Sequence, residues 1–107
     1  MIGRRPAHLF AVALPLLFAC APAQAASDEF GKKVFTADAN PPCATCHALK
    51  AAGATGEIGP DLDELKPSES QVAEAVKGGI GPMPSFEDSL SAEQIAAVAK
   101  FVANAAK

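Results

Sequence analysis

Cys43-Ala44-Thr45-Cys46-His47 sets two thiols three positions apart, with an imidazole directly after the second. Thiols at that spacing can add across the two vinyl groups of a haem and form two thioethers. The histidine is then held beneath the ring, where its nitrogen reaches the iron. C-x-x-C-H is the attachment signature of a c-type haem. Three other uses of the pair fit less well. A thioredoxin-like redox pair follows a strand in a βαβ setting, and no strand is read here. A zinc site takes four ligands, usually as two spaced pairs, and there is no second pair. A disulfide between Cys43 and Cys46 is open to an exported protein, but it leaves His47, Met83 and a small core without a role.

A six-coordinate iron needs two axial ligands. Apart from Met1 and His8 near the N-terminus, His47 is the only histidine and Met83 the only methionine. Met83 follows His47 by 36 residues, in Gly81-Pro82-Met83-Pro84. Two bracketing prolines exclude helix and central strand there, and a rigid loop aims a thioether at little entropic cost. A thioether favours ferrous iron, so His/Met ligation raises the reduction potential relative to two histidines. Taken alone, Met83 reads as a gap-filling core residue; beside the attachment motif it reads as the distal ligand. Gly59-Pro60-Asp61-Leu62 adds support. A ligating histidine usually donates its second ring N–H to a carbonyl, for which Pro60 is a candidate, and Leu62 is expected to pack on the ring. Without the motif, the same four residues would be an ordinary turn.

The N-terminus supplies the compartment. Arg4 and Arg5 precede an apolar run from Leu9 to Ala19, and Ala23-Gln24-Ala25 is a small-x-small cleavage site. Residues 1–25 therefore read as a secretory signal and 26–107 as the mature domain, exported to the periplasm. The run is too short for a membrane span. Pro6-Ala7-His8 continues a twin-arginine signal poorly, which favours general secretion. Leu17-Phe18-Ala19-Cys20 faintly resembles a lipoprotein processing site that would put a lipid anchor on Cys20, but Phe18 fits it badly.

Cleavage leaves about 82 residues with four phenylalanines and no Trp or Tyr, too few to build a generous apolar core. A buried cofactor would supply the missing apolar mass. Seven Lys then face twelve Asp and Glu, a net charge near −5. That argues against nucleic acid and anionic membranes and permits a partner with a basic docking patch.

Helices must position these groups. The segment from Ser27 to Ala37 reads as the first, capped by Ser27 or Asp28, with Phe30, Val34 and Ala37 on one stripe and Gly31 and Phe35 on the next. Gly31 inside it implies close approach of another helix. Asn40-Pro41-Pro42 ends this helix, and Gly53, Gly56 and Gly59 break the stretch from Ala51 to Pro60. Ser68-Glu69-Ser70-Gln71 is a capping box for a helix that Gly78-Gly79 stops. Ser91-Ala92-Glu93-Gln94 opens the last helix, with Ile95, Val98, Ala99 and Val102 as its apolar stripe and Phe101 beside it. Strand signals and repeats are absent, so the fold class is all-α, one small domain around one haem.

This order of motifs resembles the class I cytochromes c over essentially all of residues 27–105. The resemblance rests on Gly31 and Phe35, Cys43-Ala44-Thr45-Cys46-His47, Gly59-Pro60-x-Leu62, Met83-Pro84-x-Phe86 and the capped terminal helix. It implies N- and C-terminal helices crossing at Gly31 and Phe101, His47 and Met83 as iron ligands, and haem contacts from Pro60, Leu62 and Phe86. It further implies a soluble periplasmic electron carrier rather than an enzyme, with redox protein partners and one partly exposed haem edge. Residues 56–67 and Gly78-Gly79-Ile80-Gly81-Pro82-Met83-Pro84 look like the short cytochromes that accept electrons from bacterial molybdenum sulfite dehydrogenases. The carrier would then pass them to a downstream cytochrome or oxidase. A dedicated haem subunit of a larger complex is the nearest rival. A haem peroxidase or gas sensor lacks a distal histidine or arginine, since no Arg follows Arg5.

Overall fold

A computed structural model describes residues 2–4, 6–17 and 23–107, with side chains of the folded part from Ser27 onward. Residues 2–4 and 6–17 are exposed and carry no regular secondary structure. Cys20, and with it the lipid-anchor reading, lies outside the described residues, as does Arg5. No helix among the described residues is long and apolar enough to cross a membrane.

Helix α1 (Ala23–Lys33) runs into a wider turn, Val34–Asp38, closed by Ala39 N–H on the Val34 carbonyl at 3.1 Å. The expected start at Ser27 or Asp28 is corrected. Ala23-Gln24-Ala25-Ala26 are good helix formers and carry the helix back a full turn, leaving both residues inside it. The stripe of Phe30, Val34 and Ala37 is also corrected. Phe30 is 40 % exposed and Ala37 is exposed, whereas Gly31, Val34 and Phe35 are buried. The wide turn breaks the 3.6-residue period after Lys33, so Ala37 swings outward and Ala39 takes an inward position.

One turn of helix, α2 (Cys43–Cys46), follows the prolines. The chain then doubles back as strands β1 (Ala48–Leu49) and β2 (Ala54–Thr55), antiparallel with Ala48 opposite Thr55 and Leu49 opposite Ala54. This pair overturns the expectation of no strand. Its turn is a short 3₁₀ segment, Lys50–Ala52, ended by Gly53 in the left-handed region at φ 62°. Two residues per strand are too few to leave an alternating pattern in the sequence. Helix α3 (Leu62–Leu65) is capped by the Asp61 carboxylate on Asp63 N–H.

Helices α4 (Glu69–Gly78) and α5 (Ala92–Ala105) both open with the reciprocal capping boxes expected of Ser68/Gln71 and Ser91/Gln94. Ser91 Oγ accepts from Gln94 N–H at 3.1 Å, while Gln94 Oε1 accepts from Ser91 N–H at 2.9 Å. Helix α5 packs on both α1 and α4 and buries Ile95, Val98, Ala99, Phe101 and Val102. Phe35 and Phe101 meet edge to face, with centroids 6.1 Å apart and planes at 66°. No polar or charged side chain is buried among the described residues.

Candidate functional site

The turn α2 makes a composite group of its motif. Positions three and four apart on a helical turn share a face, so Cys43, Cys46 and His47 converge. His47 N–H donates to the Cys43 carbonyl at 2.9 Å, and Thr45 N–H to the Pro42 carbonyl at 3.0 Å. After Cys46 the backbone becomes extended, with His47 at φ −117° and ψ 134°. The cysteines are free and half-buried.

The segment Gly59-Pro60 closes over this turn. Gly59 N–H donates to the Cys46 carbonyl at 2.7 Å, and His47 Nδ1 lies 2.8 Å from the Pro60 carbonyl oxygen. A carbonyl oxygen only accepts, so Nδ1 is the donor, and in the neutral ring that leaves Nε2 with its lone pair. Two glycines are required by contact. A Cβ at Gly59 would fall 2.9 Å from His47 Nδ1, and one at Gly56 would fall 2.7 Å from His47 N. Their reading as loop breakers missed this; the adjacency of Gly59 to Pro60 was the only sequence signal for it. Asp63 Oδ2 accepts Lys50 N–H at 2.8 Å and ties α3 to the turn between the strands.

The Met83 loop borders the same space as His47. Ile80 N–H donates to the Met83 carbonyl at 3.1 Å and Met83 N–H to the Ile80 carbonyl at 2.9 Å. Gly79 and Gly81 turn the chain there at φ 72° and 53°. Met83 is half-buried against the core.

The space shared by His47 and Met83 is a cleft of about 880 Å³. Cys43, Cys46, His47, Pro60, Leu62, Met83 and Phe86 all line it, so the residues read from the sequence as ligands or haem contacts lie around one cleft. Leu62 and Phe86 are buried. Phe35, Val76, Val98 and Val102 complete the walls. Helical periodicity put Val98 and Val102 on the apolar stripe of α5, but periodicity does not distinguish a helix contact from a cofactor wall.

The cleft fits a haem by its donor chemistry: two thiols, an imidazole with Nε2 available and a thioether, within apolar walls. Burial pushes the Cys43 thiol up to about 11, only partly offset by a backbone hydrogen bond, with Cys46 nearby adding to the rise. A thiolate is therefore disfavoured there, whereas a thioether has no charge to desolvate. Among the described residues, no group of three or more His, Cys, Asp or Glu is placed to hold a metal ion by itself.

The chain is similar to known proteins over most of its length. Residues 26–102 match the family model described as cytochrome c oxidase, cbb3-type, subunit III. The chain is 37 % identical to a cytochrome c6 from a Picosynechococcus species, over 92 % of this chain and 94 % of that protein. Its fold is similar to the crystal structure of SorU, a c-type cytochrome from Sinorhizobium meliloti. That match has a TM-score of 0.73 and 46 % identity, covering 77 % of this chain and 93 % of SorU.

Proposed function

This chain belongs to the class I cytochromes c, an electron-transfer family with covalently bound haem c, and we propose that it is a periplasmic one-electron carrier ligated by His47 and Met83. The observation that supports the ligation is the His47–Pro60 hydrogen bond, which in the neutral ring leaves Nε2 free, in an apolar cleft that Met83 also lines. When bound, the haem supplies the one-electron couple of its iron.

The protein's own groups do the rest. Cys43 and Cys46 would hold the haem through thioethers, and the carbonyl of Pro60 orients His47 and would strengthen it as an iron ligand. Met83 contributes the soft ligand that favours the reduced state. Leu62, Phe86, Val98 and Val102 line the cleft and would exclude water from the bound group. The electron-transfer character of the family supports a carrier rather than an enzyme.

Export rests on the signal read in residues 1–25, and the start of the family match at residue 26 supports that boundary. As donor we propose a molybdenum sulfite dehydrogenase, on the likeness of residues 56–67 and 78–84 to its acceptor cytochromes; a downstream cytochrome or oxidase takes the electron on. A second reading, a dedicated haem subunit of a larger complex, draws on the oxidase-subunit description of the matching family.

Periplasmic expression tests these points in turn. An alkaline pyridine spectrum lacking haem c would end the carrier reading. A Met83→Ala variant that kept the wild-type potential and spectrum would remove Met83 as ligand. Failure of sulfite plus its dehydrogenase to reduce the protein would reject that donor. Elution as a monomer from its native host favours the carrier, and co-purification with an oxidase favours the subunit.

A further inference from the structure

The Met83 loop is also the cap of helix α4. The last carbonyls of an α-helix have no partner within it. Here the Ala75 carbonyl accepts Gly79 N–H and the Val76 carbonyl accepts Phe86 N–H, each at 2.8 Å. The Lys77 carbonyl accepts the hydroxyl of Ser85. Three successive carbonyls are thus satisfied from the segment that bears Met83, so its position is registered to the end of the helix.

The anchors next to Met83 are few. Pro82 and Pro84 stand on either side of it and have no N–H to give. Upstream the loop is held by the paired Ile80 and Met83 backbones; downstream the first donors are the Ser85 hydroxyl and Phe86 N–H. The Ser85 oxygen also receives Glu87 N–H at 3.4 Å, so it joins the helix end to both sides of its own turn. Ser85 is exposed and adds nothing to the core. Its contribution is the hydroxyl.

We propose that Ser85 is a positioning residue for Met83, its hydroxyl clasping the loop to α4 and setting how readily the thioether leaves its ligating place. This rests on the reading of Met83 as the distal ligand.

Imidazole competes for the position that Met83 occupies, and its apparent affinity scales with the fraction of molecules in which Met83 has left. Ferric holoprotein in the wild-type, Ser85→Ala and Ser85→Thr forms is titrated with it. Ser85→Ala is expected to bind imidazole roughly three- to tenfold more tightly, the effect of one lost hydrogen bond. Ser85→Thr, which keeps the hydroxyl, should stay within about twofold of wild type. Circular dichroism before titration establishes that both variants are folded. A Ser85→Ala affinity within about twofold of wild type, where the wild type has its thioether-to-ferric-iron absorption band, overturns the role of Ser85. A wild type without that band, binding imidazole as tightly as Met83→Ala, overturns Met83 ligation and this inference with it.

Discussion

A methyl group at Gly59 would lie 2.5 Å from Cε1 of the His47 ring, inside any tolerable carbon–carbon contact. The Pro60 carbonyl then holds the ring against this bare stretch of backbone. Gly59→Ala must therefore tilt the imidazole or lift the Gly59-Pro60 segment away from Cys46. Overpacking of this kind costs about 1–3 kcal/mol. We expect a lower melting temperature together with a changed reduction potential and altered paramagnetic NMR shifts of the haem methyls. An unchanged potential and spectrum would mean that the segment gives way without disturbing His47.

Gly31 plays the same part where α1 meets α5. A Cβ there would strike the Ala97 carbonyl and come within 2.5 Å of Phe101 Cβ. Gly31→Ala should cost about 1–3 kcal/mol, and each kcal/mol lowers the melting temperature of so small a domain by roughly 4–8 °C. Gly31, Ala97 and Phe101 do not line the cleft, so the potential should move little. Differential scanning calorimetry and voltammetry on the same samples separate the two effects.

These two glycines mark what was legible in the sequence. Gly31 announced a close helix approach because a glycine inside a helical pattern has a known cost. Gly59 stood among other loop breakers, and only Gly53 of those three needs its left-handed backbone; Gly56 and Gly59 are small because His47 and the Cys46 backbone lie against them. Capping boxes and the α5 stripe were readable because their partners lie within a few residues. The β1–β2 pair, the Asp63–Lys50 bond across 13 residues and the Ser85 clasp are closures between distant segments, which local patterns do not record. The start of α1 was misjudged for a related reason: alanines are good helix formers, and two capping-type residues inside them did not stop the helix.

The α5 capping box gives a clean stability test. Ser91 Oγ satisfies Gln94 N–H at the start of a 14-residue helix on which both α1 and α4 pack. Ser91→Ala should cost about 1 kcal/mol, and Ser91→Asp should restore most of it. Thermal unfolding monitored in the far ultraviolet measures both. Equal melting temperatures for wild type and Ser91→Ala would show that packing alone holds the helix end.

The mouth of the cleft bears on partner choice. Ile58, Leu65 and Ile80 are 77 %, 57 % and 66 % exposed and come from three separate segments around one opening. Single exposed apolar side chains are ordinary, but three rimming one opening form a patch. Glu57, Glu64 and Glu74 are exposed along the same segments, and Glu74 itself lines the cleft. The apolar patch should govern the lifetime of an encounter and the carboxylates its rate of formation. Ile58→Ser and Ile80→Ser should therefore slow reduction by the proposed sulfite dehydrogenase donor several-fold at every ionic strength, with the midpoint potential unchanged. Glu57→Gln with Glu64→Gln should slow it mainly at low salt and flatten its salt dependence, because screening already removes that attraction at high salt. Stopped-flow reduction across a salt series reads both slopes. If the glutamine variant keeps the wild-type slope, the basic partner surface docks elsewhere on the molecule.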